Sequence, residues 1–156
     1  MVELPDNQRL GLMAGMLLAE AAFVFAEASE SFAPKGKALF LARISLRCTE
    51  PWELMVVAEA ELAKSLAANL LGIDDESEEA QKSCAEALGE WANIFAGSIA
   101  FECKGGKEPC QIGIPVVTAE AGVKASALLG KAFRRANLVT ETGQHMAVAL
   151  RALETE

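Results

Sequence analysis

Basic charge is scarce in this chain of 156 residues: 14 lysines and arginines stand against 22 aspartates and glutamates, giving a net charge of -8 and a pI near 4.8. Without a continuous basic stripe, binding to a phosphate backbone loses its main driving force, so no nucleic-acid partner is expected. Histidine is scarcer still. The one histidine, His145, falls in an expected C-terminal strand beside a turn, which leaves Ser-His-acid catalysis a single, poorly placed candidate. Long apolar runs are missing too. Leu10 to Ala26 is the one stretch worth weighing, but Glu20 interrupts it and the preceding MVELPDNQR is not a basic leader. No membrane segment or secretory signal is expected, and the chain reads as cytoplasmic. KGGKE at 104–108 lacks the remainder of a phosphate-loop pattern and reads as a turn. Cys103 and Cys110 bracket it as C-x6-C, without the second pair or nearby histidine that zinc would call for. The four cysteines, Cys48, Cys84, Cys103 and Cys110, therefore read as reduced thiols. A thiol-based sensor built on an approach of Cys103 to Cys110 is the lesser alternative.

What the chain does have is apolar residues. They make up 52% of it, with a mean hydropathy of +0.24, which is greasy for a chain of this length and predicts hydrophobic surface covered by a partner or by a second copy, a homodimer being the preferred reading. The length suits one domain, 1–156, with a core that needs neither disulfides nor metal. No low-complexity linker divides it.

Pro5 and Asp6 form a plausible cap, and Gln8 to Ala28 is rich in good helix formers. After the break at Pro34 to Gly36, alternate residues from Ala38 to Cys48 are apolar while Arg43, Ser45 and Arg47 occupy the other face, the pattern of a strand with one wet side. Glu50-Pro51 turns the chain into a second strand, Trp52 to Ala58, antiparallel to the first. Glu59 to Leu71 reads as a helix stopped by Gly72. The acidic run Asp74 to Glu79 suits the start of a long helix from about Glu78 to Phe101, where negative charge meets the positive end of the macrodipole. A strand from Gln111 to Thr118 containing Pro115 follows. Ala119 to Gly130 carries no clear period, a short helix being one reading of it. Phe133 to Glu141 and His145 to Leu153 form a hairpin. Two antiparallel pairs among helices predict an α+β sandwich: one mostly antiparallel sheet with helices packed against it.

The long helix holds the sequence EALGEWANIFAG, Glu86 to Gly97. At about 100° per residue, with Glu90 at zero, Cys84, Leu88, Trp91, Phe95 and Ile99 fall between roughly 100° and 180°, whereas Glu86, Asn93 and Gly97 fall between roughly 300° and 340°. The first set is the buried stripe and the second faces out. An outward polar stripe is ordinary, but two of its members are costly. Asparagine competes for backbone hydrogen bonds, and a mid-helix glycine costs about 1 kcal/mol relative to alanine. Gly97 also leaves bare backbone beside Asn93, room for another molecule to approach.

Glu90-x-x-Asn93, with Pro115 some twenty residues further on, resembles the signature of the CheC, CheX and FliY group of chemotaxis phosphatases. The order of elements, the helix ending LAANLLG and the GIPVV segment are similar as well. The likeness is closest to the CheX type, because helix one offers Glu20-x-x-Phe23 where a second Glu-x-x-Asn would be needed. The chain departs from the family in having Glu86 where Asp or Ser is usual. The resemblance implies a CheX-like fold, a homodimer, and dephosphorylation of a phospho-aspartyl response regulator of the CheY type. Asn93 and Glu90 would be the catalytic pair, Asn93 orienting water and Glu90 docking the regulator. Glu86 and Gly97 would contact the partner, and Mg2+ would be supplied by the regulator, with no cofactor of the chain's own. A catalytically inactive binding module for a response regulator or a flagellar-motor component is the alternative.

Overall fold

The computed structural model describes residues 3–34, 38–74, 76–103, 110–120 and 122–153. The turn read at 104–109 and the break read at 35–36 lie outside them. Asp6 caps helix α1 (Asn7–Ala22), its side chain accepting from the Arg9 N–H at 2.7 Å. The helix stops earlier than its composition suggests. Phe23 adopts a left-handed conformation, φ 54°, and the Phe23 and Val24 N–H groups return to the carbonyls of Ala19 and Leu18 at 3.2 and 3.0 Å. Asn69 then donates to the freed Ala22 carbonyl at 2.6 Å. Ala26 to Ala28, the end of the stretch expected to be helical, instead belong to strand β1 (Ala26–Ser29), which pairs with residues 137–140 of a later strand. Their helical propensity is overridden by an available sheet edge.

Strands β2 (Leu39–Cys48) and β3 (Glu50–Glu59) make the expected hairpin, with Leu39 opposite Glu59, but the chain turns at Thr49, φ 77°, and Glu50 and Pro51, expected to form the turn, already pair with Cys48 and Arg47. Helix α2 (Ala60–Leu71) ends at Gly72, whose φ of 68° is the left-handed stop the sequence announces. The expected long helix is broken once. Short α3 (Glu78–Lys82), capped by Ser77 on the Ala80 N–H at 3.1 Å, joins α4 (Cys84–Glu102) through Ser83. Ser83 sits at φ -97°, ψ 5°, with its N–H shared between Glu79 and Ala80 at 3.1 and 3.3 Å.

The strand expected over Gln111 to Thr118 is two pieces, β4 (Gln111–Ile112) and β5 (Val116–Glu120), both antiparallel to β2. Ile112 faces Leu46 and Val116 faces Arg43, so four steps on one strand span three on the other. That is a bulge of one residue. Pro115, which cannot donate to a ladder, lies in it. Helix α5 (Gly122–Leu129) resolves the ambiguous segment as helical, and β6 (Arg134–Thr140) and β7 (His145–Ala152) form the C-terminal hairpin.

Among the described residues seven strands form one sheet in the order β1-β6-β7-β3-β2-β4, with β5 also on β2, and every pairing is antiparallel. Helices α1, α2 and α4 cover one face of this sheet. Their core includes Leu10, Leu18, Leu62, Leu66, Trp91 and Phe95 against Ile44, Leu54, Val56 and Val148. The expected wet face of β2 holds only for its outer half. Leu39 and Leu41, with Met55, Val57, Ala147 and Ala149, are buried on the other side beneath Ala125 and Leu129 of α5.

Candidate functional site: the polar edge of helix α4

Helix α4 is fixed from below by its apolar stripe. Cys84, Leu88, Trp91, Phe95 and Ile99 are all buried, with Trp91 stacked on Phe95 at 5.1 Å between ring centroids. The Trp91 indole N–H has no partner among the described residues. An unsatisfied buried donor costs about 1–3 kcal/mol, so packing rather than polarity holds this ring in place and with it the rotation of the helix. A second constraint comes from Gly89, which sequence reasoning overlooked. A Cβ there would lie 3.2 Å from the Val117 methyl and 3.8 Å from the Pro115 ring. Gly89 thus lets α4 rest directly on the bulge. Pro115 is brought against the helix one residue before Glu90.

With that rotation set, Glu86, Glu90 and Asn93 all face solvent, as the period predicts. Gly97 is half-buried, and a Cβ placed on it would meet nothing within 4 Å. The bare backbone beside Asn93 therefore opens onto free space. Glu86 lies in the first turn of α4, where its charge is favoured by the helix dipole whatever else it does.

A groove of about 450 Å³ runs between α1 and α4 on the same side, lined by Gly97, Ile94, Ser98, Met13, Met16 and Glu20 among others. One end is closed by an ion pair that straps the two helices together, the Arg9 Nε lying 3.0 Å from both carboxylate oxygens of Glu102. The pairing holds the Arg9 guanidinium more firmly in its charged form, chiefly through the hydrogen bond to Glu102. Beside it Phe101 is 92% exposed. Neither the strap nor Phe101 stood out in the sequence, because the first joins residues 93 positions apart and the second reads as the end of an amphipathic helix.

Helix α1 brings Glu20 to this groove but no carboxamide. The residue three further on is Phe23, exposed and already past the helix end. The structure thus places one Glu-x-x-Asn edge, on α4, and no second one on α1. His145 is engaged elsewhere, its backbone N–H donating to the Glu59 carboxylate at 2.5 Å and its ring Nδ1 accepting from the Ala33 backbone N–H at 3.4 Å. Of the basic residues in the C-terminal half, Lys124 pairs with Glu120 at 3.3 Å and Arg134 donates to the Pro5 carbonyl at 3.2 Å.

The expectation that all four cysteines are reduced is overturned by a Cys48–Cys110 disulfide. The chain-neighbour pair Cys103 and Cys110 does not bond. Pairing of β2 with β4 instead brings Cys48 and Cys110 to a Cα separation of 4.3 Å across 62 residues of sequence. Cys103 and Cys84 are free. Burial raises the pKa of both thiols, reinforced at Cys103 by the charge of Glu102.

The sequence of residues 49–134, more than half of the chain, matches the family model described as chemotaxis phosphatase CheX. The chain belongs to the CheX family. Solved structures agree on the fold. CheX from Desulfovibrio desulfuricans is 13% identical over 92% of this chain and 96% of its own, with a TM-score of 0.63. A chain of the CheX–CheY–BeF3–Mg2+ complex from Borrelia burgdorferi is 18% identical over 94% and 98%, with a TM-score of 0.65. FliY from Thermotoga maritima is 10% identical over 94% and 89%, with a TM-score of 0.56. No curated protein matches the sequence. Among the described residues no helix is long and apolar enough to cross a membrane.

Proposed function

We propose that this member of the CheX family is a phosphatase acting on a phospho-aspartyl response regulator of the CheY type, in bacterial chemotaxis signalling. Asn93 orients the attacking water, Glu90 docks the regulator, and Glu86 and Gly97 contact it. The observation that supports this reading most is the pairing of an exposed carboxamide with open space one helical turn away, at Asn93 and Gly97. Hydrolysis of an acyl phosphate needs a water in line with phosphorus and stabilisation of charge on the equatorial oxygens. A carboxamide can hold that water through either its C=O or its NH2 with no shifted pKa. Glu90, three residues before Asn93 on the same exposed edge, is suited to a charge-assisted hydrogen bond with a lysine of the regulator, which would fix the register in which Asn93 enters. The regulator contributes the phosphoryl group and Mg2+, in keeping with the ion present in the Borrelia burgdorferi complex.

The test is release of inorganic phosphate from a phosphorylated, Mg2+-loaded CheY-type receiver. Native protein should accelerate it, and Asn93→Ala should remove at least about 100-fold of that acceleration, the scale of a lost positioning contact, with the circular dichroism spectrum unchanged. Glu86, in place of the family's Asp or Ser, favours a second reading: a binding module without turnover. Native protein that binds the phosphorylated receiver and leaves its decay rate untouched would establish that reading and end the first.

A further inference from the structure

Three of the four cysteines converge from separate parts of the fold. Cys48 is the last residue of β2, Cys110 immediately precedes β4, and Cys103 closes the C-terminal end of α4. Their sulfur atoms all lie within 4.8 Å of one another. The disulfide accounts for two of these sulfurs and leaves the third, on Cys103, beside a bond it takes no part in.

We propose that Cys48, Cys103 and Cys110 form a three-thiolate site for a soft divalent cation of the zinc type, available whenever the Cys48–Cys110 disulfide is reduced. Three thiolates around a tetrahedral zinc, at Zn–S distances of about 2.3 Å, stand about 3.8 Å apart. The trio needs shifts on the order of 1 Å for Cys103, and the bonded pair needs only to separate. Each cysteine is held by backbone that does not depend on the disulfide. Arg47 and Gln111, the chain neighbours of Cys48 and Cys110, are register partners in the ladder, and the Cys103 N–H donates to the Ile99 carbonyl at 3.0 Å. Reduction therefore leaves the three thiols converging. Sulfur donors select soft cations over Mg2+ or Ca2+. Three protein ligands leave a fourth position for water or another group. Cys84 has no place in the trio, its thiol donating to the Ala80 carbonyl at 3.4 Å.

Opening the site takes two electrons and two protons: two molecules of thiol supply both and become a disulfide, whereas a phosphine supplies the electrons and becomes the phosphine oxide, water providing its oxygen and the two protons. Cation binding then displaces the thiol protons to solvent. The two states exclude each other, because a sulfur in the disulfide cannot serve as a thiolate.

The test uses the full chain, reduced with a phosphine under anaerobic conditions and titrated with Cd2+, whose thiolate charge-transfer absorption reports binding, and then with Zn2+ as competitor. One equivalent of Cd2+ should saturate the band, Zn2+ should displace it, and Cys84→Ser should leave it intact. Cys103→Ser and Cys110→Ser should each weaken uptake by more than the roughly 10–100-fold that loss of an outer-shell contact costs. Both positions are half-buried, so these variants test the site even if Cys48→Ser, at a buried position, fails to fold. Protein reoxidised to the disulfide should show no band. A band that survives Cys103→Ser, or reduced protein that binds no Cd2+, overturns the proposal.

Discussion

Asn93 and Gly97 occupy positions where an isolated helix would prefer alanine, and the surrounding structure gives neither a packing reason to be there. The cost is measurable at Gly97. Because a Cβ there meets nothing within 4 Å, Gly97→Ala should fold without obstruction and raise stability by about 0.5–1 kcal/mol, read from the urea midpoint at constant slope. If this backbone is the surface a regulator approaches, the same substitution lowers the rate of phosphate release. A variant that gained stability and kept full activity would show that Gly97 lies outside the contact. Gly89 is the opposite case. Its missing Cβ is explained within the chain, by Val117 and Pro115, so its role is to seat the helix rather than to receive a partner.

Helix α4 carries both faces of the argument, and its buried stripe was readable from period alone. Every apolar residue assigned to that stripe is buried and every polar one is exposed, because 3.6-residue spacing separates them without help from tertiary structure. Phe95 lies at the centre of the stripe, fully buried and stacked on Trp91. Phe95→Ala should lower stability by about 3–5 kcal/mol, measured by urea denaturation. A loss below 1 kcal/mol would mean that α4 is not clamped as described. The elements that composition misjudged are those whose form depends on distant partners. Ala26–Ser29 is a strand because β6 offers it an edge, and the Gly113 to Pro115 bulge exists where β2 and α4 meet. The cysteine trio was invisible for the same reason: Cys48 reaches Cys110 only through the ladder between β2 and β4.

For the whole molecule, the sheet ends in β1 on one side and in β4 and β5 on the other. Near the β1 end, Leu12, Met16, Phe23 and Phe25 are all exposed, and a cavity of about 830 Å³ lies between α1, β1 and β6. Apolar surface of this kind in a chain that is 52% apolar favours a second copy as its cover. Sedimentation equilibrium should return twice the chain mass of 16.5 kDa, and a monomeric mass at micromolar concentration would refute the dimer. The left-handed residue at Phe23 has its own consequence at this scale. It ends the first helix at the third residue past Glu20, which is a phenylalanine and not a carboxamide, so under the proposed function each chain would offer a regulator one station, on α4, and two chains together would serve two regulators, one apiece.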